Sequence, residues 1–196
     1  MPKSSPAARP DNARPGRLPS PSTLLPSDRT SLLKIAAAAR RFVEPIWEEW
    51  HRHAGADRPA IAAQGTCGRT SLFLQRVLNT QGFGAEWVCG TPRSGPLGPE
   101  NGPFGFRWGK TWQSHAWVEC GNFIIDITAD QFGAPPVLVV DRMDSRYNKD
   151  NRDAALPEFV LARKRAVDDI WPRWQRINLG GLKGSARLER RAPEDK

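Results

Sequence analysis

Residues 115–128 read His-Ala-Trp-Val-Glu-Cys-Gly-Asn-Phe-Ile-Ile-Asp-Ile-Thr, a pattern that admits few folds. Gly121-Asn122 suits a two-residue hairpin turn, joining antiparallel strands over 113–120 and 123–128. Opposed residues of such a hairpin share a face. With Cys120 opposite Phe123, one face carries Ala116, Val118, Cys120, Phe123, Ile125 and Ile127. That face is wholly apolar and must cover a core. The other carries His115, Trp117, Glu119, Ile124, Asp126 and Thr128. A one-residue slip would exchange the two sets, so the hydrophobic pattern selects the register. In this register His115 and Asp126 are diagonal neighbours on the face away from the core, roughly 7 Å apart by backbone and within reach of a hydrogen bond.

Helices flank these strands. Leu32, Ile35, Ala39, Phe42, Val43, Ile46, Trp47 and Trp50 recur at helical spacing from a start near residue 30. Pro45 lacks an amide donor and predicts a kink or a break there. A second helix is expected over 66–80, with Leu74, Val77 and Leu78 inward and Gly82 as its stop. A strand follows over 85–90. The Gly/Pro-rich stretch 91–110 reads as a loop of about twenty residues, long enough to serve as a flap over a cleft. A short strand over 137–141, a polar irregular stretch after Arg142 and a last helix over 161–177, interrupted at Pro172, complete the pattern. Helices followed by consecutive strands indicate an α+β fold with an antiparallel sheet.

The 196 residues suit one domain. Residues 1–26 are rich in Pro, Ser, Arg and Ala, with Asp11 their only acid, and read as a disordered arm. Residues 183–196 read as a second, basic tail, which leaves 27–182 for the folded domain. The net charge of +8 lies partly in these tails and partly in the Arg163-Lys164-Arg165 and Arg173/Arg176 region, which reads as a solvated helix face. No zinc-finger, RNP or other nucleic-acid motif accompanies the charge, so a nucleic-acid partner is not expected. Three cysteines without paired spacing argue against a disulfide framework and for a reducing compartment. With no apolar signal segment and no membrane-spanning stretch, a cytoplasmic location is the expectation.

Cys67 opens the second helix, where unsatisfied amides and the helix dipole favour a thiolate. A thiol nucleophile needs a base, and the base an orienting acceptor. His115 and Asp126 supply them. Each residue also has an ordinary use: a small buried hydrophobe, a satisfied strand histidine, a strand-end acceptor. Their coincidence in this order weakens those uses. Metal ligation by Cys67, Cys89, Cys120 and His115 lacks any Cys-x-x-Cys or His-x-x-x-His spacing, so neither a metal nor another cofactor is expected. Cys89 and Cys120 read as core. Gln64 and the Cys67 amide are candidate oxyanion donors, while Trp117, Trp108 and Trp112 are candidate walls of a substrate cleft.

Gly65-Thr66-Cys67 leading into a helix, Gly82-Phe83-Gly84-Ala85 leading into a strand, and His-Ala-Trp-Val-Glu followed by Ile125-Asp126-Ile127-Thr128 resemble the transglutaminase-like branch of the papain-like cysteine enzymes. The resemblance covers about residues 62–132. It implies a helix bearing the nucleophile packed on an antiparallel sheet, with Cys67 as nucleophile, His115 as general base and acid, and Asp126 as the orienting carboxylate. The family's Asp-Pro is replaced here by Asp126-Ile127, and Asp130 is a second candidate acceptor. The expected activity is acyl transfer from an amide of a protein or peptide substrate, as peptidase, amidase, deamidase or transglutaminase. The competing class is a catalytically inactive basic module that binds an acidic or nucleic-acid partner.

Overall fold

The computed structural model describes residues 26–55, 59–91, 94–95, 98–99, 104–150 and 156–188. Their order is α1 (Pro26–His53), α2 (Cys67–Thr80), β1 (Ala85–Gly90), β2 (Ser94–Gly95), β3 (Gly98–Pro99), β4 (Gly105–Trp108), β5 (Thr111–Gln113), β6 (His115–Cys120), β7 (Phe123–Asp126), a 3-10 turn (Ala129–Phe132), β8 (Leu138–Asp141), β9 (Tyr147–Asn148) and α3 (Pro157–Leu188). Helices and antiparallel strands make this an α+β fold. No helix among the described residues is long and apolar enough to cross a membrane.

The main sheet runs β1-β6-β7-β8. Its central hairpin pairs Cys120 with Phe123, Glu119 with Ile124 and Val118 with Ile125, the register the alternation requires. Val118, Cys120, Ile125 and Ile127 meet the helices in one apolar cluster with Trp47, Phe73, Leu74 and Trp174. Aromatic edges lock the three helices together: Phe42 stacks on Phe73 at 5.3 Å, and Trp174 meets both edge-on at 5.2 and 5.4 Å. Leu74, Val77 and Leu78 point inward, and Gly82 ends α2 at φ +85°, as its placement suggests.

The second face of the hairpin departs from expectation. It is not open. His115, Trp117, Glu119, Ile124, Asp126 and Thr128 are all buried, beneath a second sheet ordered β5-β4-β9. Phe106 of β4 and Tyr147 of β9 form its apolar underside. Two glycines allow this sheet to approach. A Cβ on Gly90 would lie 2.1 Å from the Gly105 nitrogen, and one on Gly105 (φ +91°) would lie 2.9 Å from the Gly90 oxygen, besides 1.9 Å from the Gln113 oxygen of its own sheet. Any side chain at either position would force the sheets apart.

Both prolines are carried within continuous helices, so neither the break allowed at Pro45 nor the interruption expected at Pro172 occurs. Pro45 and Pro172 lie on the exposed sides of their helices. Helix α3 begins before residue 161 and runs to Leu188, past the boundary expected at 182. The stretch read as one loop over 91–110 holds the short β2–β3 ladder and β4. The flap expected over 91–110 lies partly outside the described residues, and the arm over 1–25 and residues 189–196 lie wholly outside them.

Candidate active site

Helix α2 starts at Cys67 with little to neutralise its positive end. Thr66, at the cap position, makes no side-chain cap bond, and the first turn carries no acid. The Thr66 hydroxyl donates backward to the Ala63 carbonyl instead, at 2.8 Å. The amides of the first turn are thus left for an anion beside them. Cys67 is half-buried there and lines one cleft with His115 and Ala116, the first residues of β6.

His115 Nε2 lies 2.6 Å from Asp126 Oδ2, with both side chains fully buried. With Nε2 committed to the carboxylate, Nδ1 is the ring nitrogen left for Cys67. Asp126 is itself held. Its Oδ1 accepts from the Thr128 amide at 2.9 Å and the Thr128 hydroxyl at 3.2 Å, while its Oδ2 also accepts from the Tyr147 hydroxyl at 3.0 Å. The imidazole is packed by Phe132 edge-on at 5.0 Å and by Phe106 at 5.6 Å. Gln131 approaches from the 3-10 turn. Its Nε2 donates to the Thr128 carbonyl at 2.9 Å and sits 3.5 Å from His115 Nδ1, and its Oε1 lies 3.4 Å from the Gly65 amide.

The charges support one another. Burial works against the His115 cation, but the charge and hydrogen bond of Asp126, followed by those of Cys67, push its pKa up to about 10. Burial pushes the Cys67 thiol up, and the His115 hydrogen bond and charge, with the Ala116 backbone, overcome this and leave it below an ordinary thiol. Burial likewise works against Asp126, yet His115, Thr128 and Tyr147 hold its carboxyl below the usual range. The arrangement favours thiolate and imidazolium side by side over two neutral groups.

The structure therefore brings Cys67, His115 and Asp126 together, with His115 bonded to Asp126 and sharing a cleft with Cys67. Asp130 stands apart. It grips Arg40 through both oxygens, at 2.8 and 2.6 Å, and Arg40 also donates to the Ile127 carbonyl at 2.8 Å. Gln64 is exposed in the turn before α2. Trp117, expected as a cleft wall, is 1% exposed. It backs the His115 ring at 6.2 Å and meets Tyr147 at 5.1 Å, because the second sheet covers its face. Trp108 lies in that second sheet, stacked on Phe106 at 6.1 Å. Trp112, also in that sheet, is half-buried.

A cleft of about 270 Å³ opens onto Cys67 and His115, walled by Trp87, Cys89, Phe159 and Arg163. Cys89 is buried, in keeping with its core reading, yet it also reaches this cleft, and burial pushes its thiol up to about 11. Sequence reasoning missed Tyr147, Gln131 and Arg163. Only Tyr147 carried a signal, as the single tyrosine of the chain. Compared with models of known protein families, with curated proteins and with solved structures, the chain matches none.

Proposed function

We propose that this protein is a cysteine-dependent acyl-transfer enzyme of the transglutaminase-like, papain-related type, acting on amides of a protein or peptide. The observation that carries the reading is the buried His115–Asp126 pair at 2.6 Å beside a thiol of lowered pKa at a helix start. The helix-on-sheet arrangement that presents Cys67 to β6 supports it as well.

In this scheme the Cys67 thiolate attacks the amide carbonyl carbon, forming a C–S bond and an oxyanion. The Cys67 amide at the uncapped helix start is one donor to that oxygen, and the exposed Gln64 side chain upstream is a second. His115 gives its Nδ1 proton to the leaving nitrogen as the C–N bond breaks, which leaves a thioester and a neutral imidazole. His115 then takes a proton from water, whose oxygen attacks the thioester. The acid departs and the thiolate returns. An amine in place of water yields a new amide. No cofactor enters either route. Asp126 holds the tautomer and offsets the imidazolium charge throughout.

Iodoacetamide should alkylate Cys67 at pH 6 about tenfold or more faster than it alkylates free cysteine, and His115→Ala should remove that advantage. Equal rates for Cys67 and free cysteine would overturn the reading. Dansylcadaverine incorporation into dimethylcasein, run beside casein hydrolysis, separates transfer from hydrolysis.

A further inference from the structure

The Asp126 carboxylate is shared among several donors. Oδ1 takes two hydrogen bonds from Thr128, its amide at 2.9 Å and its hydroxyl at 3.2 Å. Oδ2 takes two more, from His115 Nε2 at 2.6 Å and from the Tyr147 hydroxyl at 3.0 Å. Together they fill the roughly four lone-pair positions a carboxylate offers. The phenol and the imidazole thus meet on one oxygen.

Tyr147 is fixed in that place. Its ring centroid lies 4.9 Å from that of Phe106 and 5.1 Å from that of Trp117, both buried. Its amide donates to the Asp144 carbonyl at 3.1 Å. Burial, then the Asp126 charge, push the phenol well above its ordinary value. It therefore remains a donor wherever His115 titrates.

Two donors on one oxygen compete for its charge. What the phenol draws is withdrawn from the imidazolium, so Asp126 stabilises the His115 cation less than it would without Tyr147. Acyl transfer has a use for that restraint. His115 must hold its proton beside the thiolate and surrender it as the amine leaves, and a general acid serves best with a pKa near the working pH. His115, raised to about 10, is already a reluctant acid. Without Tyr147 it would be more so.

We propose that Tyr147 is a positioning residue acting through Asp126: its bond to the shared oxygen tempers the stabilisation of the His115 cation, so that Nδ1 gives up its proton to the leaving amine. This deepens the acyl-transfer reading and rests on it.

NMR of the full chain labelled with 15N-histidine follows the His115 ring through its titration, and His115→Ala assigns it among the three histidines. Tyr147→Phe keeps the ring and removes the donor. It should move the His115 titration up by about one pH unit, a tenfold gain in proton affinity. Mere loosening of the fold would admit water and carry His115 the other way, toward its ordinary ~6.5. Tyr147 is the single tyrosine of the chain, so growth on 3-fluorotyrosine alters this phenol alone. The more acidic phenol is a stronger donor of the same shape, and it should move the titration down even if Tyr147→Phe folds poorly. The other charged and titratable groups near the pair are Cys67 from α2, Cys89 from β1, Arg163 from α3, Asp130 from the 3-10 turn, and Arg146 with Asp144 beside Tyr147. All are common to these proteins and cancel in the comparison. A His115 titration that is unchanged or lowered in Tyr147→Phe, or unmoved by fluorotyrosine, would overturn the proposal. Iodoacetamide alkylation releases iodide and needs no proton, so Tyr147→Phe should react at pH 6 at least as fast as wild type. A wild-type Cys67 no faster than free cysteine counts against the nucleophile reading, and the titrations still decide Tyr147.

Discussion

The Ser71 hydroxyl donates to the Ala116 carbonyl across 2.9 Å, and the bond ties the helix that begins at Cys67 to the strand that begins at His115. Both residues are buried. Ser71→Ala leaves that carbonyl unsatisfied and should cost about 1–3 kcal/mol in a urea melt. It should also slow Cys67 alkylation, because the sulfur and imidazole lose their common anchor. Val77→Ala, in the core of the same helix, loses stability through a cavity and should keep a near-wild-type rate. If the two variants alkylate equally fast, Ser71 is structural only.

The His115–Asp126 pair should also shape the pH dependence of stability. Asp126 is held below its ordinary pKa, so its contribution is present above the unfolded value of ~3.9 and lost as pH falls through the lower folded value. His115 is held above its ordinary value. Its contribution is complete below ~6.5 and lost as pH rises toward about 10. The melting-temperature gap between wild type and Asp126→Asn should therefore be widest from about pH 4 to 6.5 and narrow toward pH 10. Calorimetry across that range measures it, and a gap independent of pH would contradict a charged pair.

Two thiols share the cleft, and only one should react. The Cys89 pKa of about 11 leaves a thiolate fraction at pH 7 of about one in ten thousand. Cys120 is 1% exposed. Brief iodoacetamide treatment of the native protein should modify Cys67 alone, and Cys67→Ala should stay unlabelled over the same interval. Peptide mass mapping reads the result. Modification of Cys89 ahead of Cys67 would reverse the assignment of reactive and inert thiols.

What could be read in advance follows from periodicity. The alternation about Gly121-Asn122 has one register that buries Val118, Cys120 and Ile125, so the hairpin and the His115–Asp126 diagonal were legible. The burial of the opposite face was not. It depends on β4 and β9, strands of four and two residues whose docking rests on backbone approach at Gly90 and Gly105. Tyr147 and Gln131 reach the site from a two-residue strand and a 3-10 turn, too short to show a period. The helices continue through their prolines for an energetic reason. A helix-interior proline loses about 3 kcal/mol relative to alanine, but burial of Ile46 and Trp47 beside Pro45, and of Trp171 and Trp174 around Pro172, offsets it. Arg163 was hidden within a run of like charges, where sequence alone gives no sign of which residue turns inward.

Two aspartates competed for one role, and their partners separate them. Asp130 neutralises Arg40, whose guanidinium is otherwise held by the carbonyls of Ile127 and Pro136. Removing it leaves a buried cation with only the exposed Glu44 carboxylate, at 3.5 Å, to offset it. The Asp130 side chain keeps 20% exposure, so Asp130→Asn should cost about 2–4 kcal/mol, less than breaking a fully buried pair. Its effect should stop there. Asp130 does not bond His115, so the folded variant should keep the wild-type pH profile of Cys67 alkylation. Asp126→Asn should instead lose the advantage at low pH, because the imidazolium that draws down the thiol loses its counter-charge. Alkylation rates between pH 5 and 9 for the two variants, measured where both are folded, decide the matter. A collapsed profile in Asp130→Asn with an intact one in Asp126→Asn would exchange their roles.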